Sequence, residues 1–151
     1  MTVSTPPVRR VLLAEDNEDH RFLTMRALRD HDSNSHIEID AVMDGEEALD
    51  YVYRRGRYVG RPRPHLILLD LRMPRLDGFE VLRQLKSDAD LHTIPIVVLT
   101  SSARPDDVDT AYQLGTNAYV TKPVTIAGMR ERVTSLTEHW MNQASLPQPP
   151  D

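Results

Sequence analysis

Five residues have the types and positions to do chemistry together: Glu15, Asp16, Asp70, Thr100 and Lys122. Each lies at the end of a short apolar stretch: Val11-Leu12-Leu13-Ala14, Leu66-Ile67-Leu68-Leu69, Ile96-Val97-Val98-Leu99 and Ala118-Tyr119-Val120-Thr121. Carboxylates crowded together repel one another and invite a cation. An all-oxygen donor set favours a hard ion such as Mg²⁺ over zinc. A carboxylate such as Asp70 can also attack phosphorus and form an acyl phosphate. That transfer needs charge neutralisation on the moving group, from a metal ion and a cationic side chain. Lys122 is the natural cation, a flexible point charge, and Thr100 offers a hydroxyl donor. Plainer readings exist for each. An Asp after a strand often caps the next helix, although Asp77 is better placed to do so here. A lysine is often a surface charge and a threonine a strand-end cap. The turn Glu15–Asp19 can be a solvated acidic cap, the preferred reading for Glu18 and Asp19.

The elements that must position these residues follow from periodicity. Continuous apolar runs such as Leu66–Leu69 and Ile94–Thr100 read as strands buried on both faces. Val8–Ala14 carries a strand signal, His36–Val42 alternates as a half-buried edge strand, and Ala118–Thr121 is a short strand. Between them lie helical patterns. Phe22, Leu23, Met25, Ala27 and Leu28 mark the first, after the acidic turn, and Asp30–Ser35 is turn-rich. Ala48, Leu49 and Val52 face inward in the second, with Asp44 as cap and Glu47 at the capping-box position. Asp77 opens the third, with Val81, Leu82 and Leu85 inward. Pro105 opens the fourth, with Val108, Ala111 and Tyr112, and Gly115 suits its C′ position. Thr125 caps the last, whose period is Ile126, Met129, Val133, Leu136 and Trp140. Five βα units in succession predict an α/β fold: a five-stranded parallel sheet, doubly wound, with right-handed crossovers. In such a sheet all the reactive strand ends share one edge.

The chain has 151 residues, enough for one domain with a real core. Its net charge of -5 argues against general nucleic-acid binding. With no cysteine, thiol catalysis, disulfides and Cys-ligated zinc are excluded. No apolar run reaches membrane-spanning length and no signal-peptide pattern is present, so a cytoplasmic location is expected. Residues 1–8 are expected to be a loose tail, 9–141 the folded domain and 142–151 a disordered tail. Arg54–Pro64 reads as a solvated basic loop, with partner binding as the second choice.

Four segments, VLLAEDN, LILLDLRMPRLDGFEVL, IPIVVLTSSA and AYVTKP, together resemble the response-regulator receiver domains of two-component signalling. The resemblance covers roughly Arg9–Trp140 and implies the chemotaxis-regulator-like fold with its flavodoxin-like strand order. It implies that Asp70 is the phospho-acceptor, served by a histidine kinase. It further implies that Asp16 ligates Mg²⁺ directly, Glu15 mainly through water, and that the Arg72 carbonyl completes the protein ligands. Thr100 and Lys122 would contact the phosphoryl oxygens, joined by backbone N–H groups of Arg72 and Ser101. Tyr119 would be the switch aromatic, turning inward as Thr100 moves. The Lys122–Pro123 bond would be cis.

The basic loop and the Trp140-to-proline ending are similar to stand-alone regulators paired with bacterial phytochromes. With no output domain following, a single-domain regulator is expected. In those relatives the fourth helix, fifth strand and fifth helix often form a dimer face. One departure is Arg72, a bulky cation two residues after the acceptor, expected to alter the lifetime of the phosphoryl group. Three rival readings are weaker. A haloacid-dehalogenase-type phosphatase resembles Asp-x-Asp at this strand, but position 72 is Arg. A flavodoxin-like phosphate cradle needs a Ser/Thr/Gly loop where this chain has Glu-Asp-Asn-Glu-Asp. A phosphorylation-independent module on the same fold usually loses part of the acceptor set, which here is whole.

Overall fold

The computed structural model describes residues 8–30 and 36–151. The expected N-terminal tail, Met1–Pro7, and most of the turn before the second strand lie outside the described residues. Val8 is already strand: it pairs with His36, so the domain starts one residue earlier than expected. Five parallel strands, β1 Val8–Ala14, β2 His36–Val42, β3 Leu66–Leu69, β4 Ile96–Thr100 and β5 Ala118–Thr121, form one sheet in the order β2-β1-β3-β4-β5. Helices α1 Glu18–Asp30, α2 Gly45–Tyr53, α3 Gly78–Ser87, α4 Pro105–Gln113 and α5 Ile126–Thr137 cover it. The doubly wound α/β expectation and its strand order hold.

The continuous apolar runs are continuous because both faces are covered. Leu12, Ile67, Leu69, Ile96 and Val98 point into a core shared with α2 and α3. Val11, Leu13, Leu66, Leu68, Val97 and Leu99 point into a second core with α1 and α5. The strand period of two therefore assigns neighbouring residues to opposite cores. The caps are those expected: Asp44, Asp77 and Thr125 each accept from the backbone N–H three residues on. Glu47 bends back to the N–H of Met43 at 3.4 Å, one residue before the usual capping-box target.

Three expectations need correction. Phe22 and Ile126, placed on the apolar periods of the first and last helices, are 62% and 66% exposed. Their helices bury Thr24, Ala27 and Leu28, and Met129, Val133 and Leu136, instead. The basic loop is not simply solvated. It forms a short 3-10 turn at Gly56–Tyr58 that buries Tyr58 against Tyr51, ring centroids 4.9 Å apart. The Tyr58 hydroxyl donates to Glu47 at 2.6 Å, and Tyr51 donates to Asp40. The expected disordered ending has partners too. Leu146 packs on the second core, and Arg63 donates to the carbonyls of Pro150 and Asp151. After α5 the chain continues through a π-helical turn, Glu138–Gln143.

Between α3 and the loop before β4, Lys86 sends its Nζ to the carbonyls of His92 and Ile94, both at 2.9 Å. Its stem lies over Gly115, whose φ of +105° closes α4. Burial pushes the Lys86 ammonium down to about 8 from its ordinary 10.5. Between those values the unfolded chain binds the extra proton, so stability rises with pH across that window. Urea unfolding of the protein and of Lys86→Met at pH 8, 9 and 10 checks this. The difference in unfolding free energy between the two should shift in favour of the parent protein as pH rises. Parallel pH dependences would refute the assignment.

Candidate functional site

The site forms where β1 and β3 end side by side. The N–H of Asp70 donates to the carbonyl of Ala14 at 3.0 Å, which draws the Asp70 backbone against the start of the acidic turn. The N–H of Glu15 in turn donates to Val42 on β2. Directly after Glu15 and Asp16, Asn17 opens α1, its side chain accepting from the N–H of His20 at 3.0 Å. Glu15 and Asp70 are buried and Asp16 is exposed; one oxygen from each lies within 4.8 Å of the others. This point is the crevice where the strand order reverses, with β1 leading one way to β2 and the other to β3.

Lys122 reaches the same point from the far side of the sheet. Its backbone N–H donates to Thr100 at 2.7 Å, which sets the direction of the side chain. The buried Nζ then donates to Glu15 at 2.5 Å and to Asp70 at 3.0 Å. It also lies 3.0 Å from Nδ1 of His20. Burial pushes the Glu15 carboxyl up to about 7. The negative charge of Asp70 adds to the shift, and the hydrogen bond from Lys122 opposes it. A divalent cation would relieve that crowding, so the donor set fits a hard, oxygen-ligated ion. No described peptide bond is cis, Lys122–Pro123 included, which corrects the expected cis geometry.

The remaining expected residues flank this centre. Thr100 is fully buried, and its Oγ1 has no hydrogen-bond partner among the described residues. Such a donor is costly unless a ligand or water meets it. The N–H of Arg72 donates to Oδ1 of Asp70 at 3.2 Å, while its guanidinium turns out toward Asp107, 3.6 Å away. Asp107 also accepts from the Ser102 hydroxyl, and Tyr119 donates to the Ser102 carbonyl at 2.7 Å. Tyr119 is half-buried against the first core. Ser101 is exposed beside Thr100. An open cleft of about 600 Å³ runs between Asp16, Arg72, Pro74, Phe79 and Asp107. His20 is a contact of Lys122 at the centre that sequence reasoning missed. Its spacing of four residues from Asp16, at the start of a helix, is the signal that could have found it.

Residues 11–134 match the response regulator receiver domain. The chain belongs to that family. The probable methanogenesis regulatory protein FilR2 of Methanothrix harundinacea is 40% identical over 92% of this receiver and 88% of its own length. Response regulator Rcp1 of Synechocystis is 36% identical over 97% of this chain and 99% of its own. Its Mn²⁺-bound crystal structure superposes with a TM-score of 0.88 at 37% identity, covering 92% of this chain and 99% of that one. The phosphorylated cyanobacterial phytochrome response regulator RcpA superposes at 0.89, with 39% identity over 93% of this chain and 99% of that one. No helix among the described residues of this receiver is long and apolar enough to cross a membrane.

Proposed function

We propose that this receiver is a phosphoryl-accepting switch with Asp70 as the acceptor. The supporting observation is the buried ammonium of Lys122, shared between Asp70 and Glu15. It supplies a fixed positive charge where a phosphoryl group on Asp70 would need one. An oxygen of Asp70 attacks phosphorus, and the bond from phosphorus to the kinase's imidazole nitrogen breaks. The electron pair stays on that nitrogen, which is then protonated. Asp16 and Asp70 would hold Mg²⁺ directly, Glu15 through water and Arg72 through its carbonyl; the ion supplies charge neutralisation on the transferring group.

The unpartnered Oγ1 of Thr100 would donate to a phosphoryl oxygen, as would the N–H groups of Arg72 and Ser101. Lys122 would move its attraction from Glu15 to that oxygen. Tyr119 reports the change through the Ser102 carbonyl, and Arg72, held outward by Asp107, bears on how long the phosphoryl group lasts. Release of phosphate by water would return the receiver to its resting form. The folded receiver starts with Val8 at the head of β1, and the segment after α5 packs back on it through Leu146. The partner is a sensor histidine kinase in the cytoplasm, and the similarity to RcpA and Rcp1 favours a phytochrome kinase. The face of α4, β5 and α5 would carry a homodimer. Neither nucleic acid nor a membrane is a direct partner.

The test needs no cognate kinase. Incubation with Mg²⁺ and acetyl phosphate should give a phosphoprotein, and beryllofluoride should perturb the amide spectrum around Asp70. Asp70→Asn should abolish both. Uptake that survives Asp70→Asn, or no uptake by the parent protein, would overturn the reading.

A further inference from the structure

The geometry points to His20 as a positioning residue for phosphoryl transfer: its Nδ1 accepts a hydrogen bond from Lys122 and anchors the ammonium from the α1 side. The inference rests on the reading of Asp70 as the acceptor and names a member of the same site.

A lysine ammonium has three N–H donors and no acceptor. Buried, it needs all three used. Here the three partners are Glu15 at 2.5 Å, Asp70 at 3.0 Å and His20 at 3.0 Å. Two of these are the carboxylates that a metal ion and a phosphoryl group would engage. His20 alone has no other task at the centre. It sits in the first turn of α1, its backbone N–H fixed to the Asn17 side chain at 3.0 Å, so its ring is tied to the element that follows Glu15 and Asp16. Because Nζ can only donate, Nδ1 must be bare and the ring proton must sit on Nε2. Burial, and then the charge of Lys122, push the imidazole below its ordinary range, against the nearby carboxylates of Asp70, Asp19 and Asp16. A neutral acceptor suits this position. An Asp or Glu there would add a fourth negative charge to Glu15, Asp16 and Asp70, and would compete with the phosphoryl group for Lys122. An apolar residue would leave one donor of a buried ammonium unmet, and Nζ free to settle on Glu15.

Three proteins test the idea: the parent chain, His20→Leu and His20→Asn. The position is half-exposed, so all three are expected to fold. Phosphorylation by phosphoramidate with Mg²⁺ is followed in time on a phosphate-affinity gel; this small donor removes any effect on kinase docking. His20→Leu should be slower by about tenfold, the order expected for loss of one hydrogen bond to a charged group. His20→Asn places its amide oxygen close to where Nδ1 lies, and should recover to within about threefold of the parent by the same reasoning. A His20→Leu variant at the parent rate would overturn the proposal, as would a His20→Asn variant no faster than His20→Leu. A long-range ¹⁵N–¹H spectrum of the resting protein tests the contact apart from activity. The His20 resonances, assigned by their loss in His20→Asn, should show a bare Nδ1 and a protonated Nε2. A protonated Nδ1 overturns the proposal whatever the rates. A parent chain that takes up no phosphoryl group overturns the switch reading beneath it instead.

Discussion

Lys122→Met should cost the fold about 3–5 kcal/mol when divalent ions are absent, the range found when one partner of a buried ion pair is removed. Lys122 is 6% exposed, Asp70 6% and Glu15 2%. The two carboxylates share one ammonium and have no other cation in hydrogen-bond contact among the described residues. Methionine fills nearly the same volume, so packing contributes little to the loss. What remains is two carboxylates facing each other in a poorly solvated crevice. Mg²⁺ should then restore much of the stability. Each tenfold excess of the ion over its dissociation constant returns about 1.4 kcal/mol, and the variant should bind it more tightly because no ammonium competes. Urea unfolding with and without Mg²⁺ checks both halves. Equal stability without the ion, or an equal Mg²⁺ gain in variant and parent, would show that the three carboxylates do not act as one cluster.

The second large effect comes from a glycine. A Cβ on Gly78 would lie 2.3 Å from the carbonyl oxygen of Asp70 and 2.7 Å from Cα of Leu71. Both are backbone atoms directly after a central strand, so neither can yield like the tip of a side chain. The first turn of α3 is pressed there because the N–H of Gly78 donates to the carbonyl of Leu71 at 3.0 Å. Gly78→Ala must therefore push α3 away or displace Asp70. We expect a loss near the upper end of the about 1–3 kcal/mol seen for overpacked sites. Melting should fall by roughly 5–10 °C. Phosphorylation by acetyl phosphate should fall with it, since Asp70 loses its register with Lys122. An unchanged melting temperature with normal uptake would show that the helix moves freely and that the contact constrains nothing.

Most of the fold was legible because it rests on periodicity and caps, which are local. Leu66–Leu69 could only be a strand covered on both sides, and Asp77 could only be a cap once Asp70 was claimed by the strand end. The placement of the candidate residues was legible for a related reason: parallel topology brings every strand end to one edge, so Glu15, Asp70, Thr100 and Lys122 had to lie along it. The misreadings concern contacts that periodicity cannot encode. Phe22 and Ile126 fall in apolar patterns, yet the stripes that α1 and α5 bury pass beside them. Tyr58 sits in a stretch dense in arginine, and its burial depends on Glu47 and Tyr51 from α2 waiting for it. His20 was hidden because its partner lies 102 residues away in sequence.

The strand order carries a consequence for how the molecule is assembled. β3 joins the edge of β1 away from β2, and each later strand joins the one before it: β4 on β3, β5 on β4. The sheet can thus widen in the order in which a ribosome delivers the chain. The charges do not arrive so evenly. Glu15, Asp16 and Asp70 are all present by the third unit, while the ammonium that reconciles them comes only with residue 122. Until then the nascent chain carries an unbalanced acidic crevice that only solvent or a metal ion can screen. The last βα unit is therefore bound to the rest by more than apolar packing. It closes a circuit between the first, third and fifth repeats, and truncation before Lys122 leaves that circuit open.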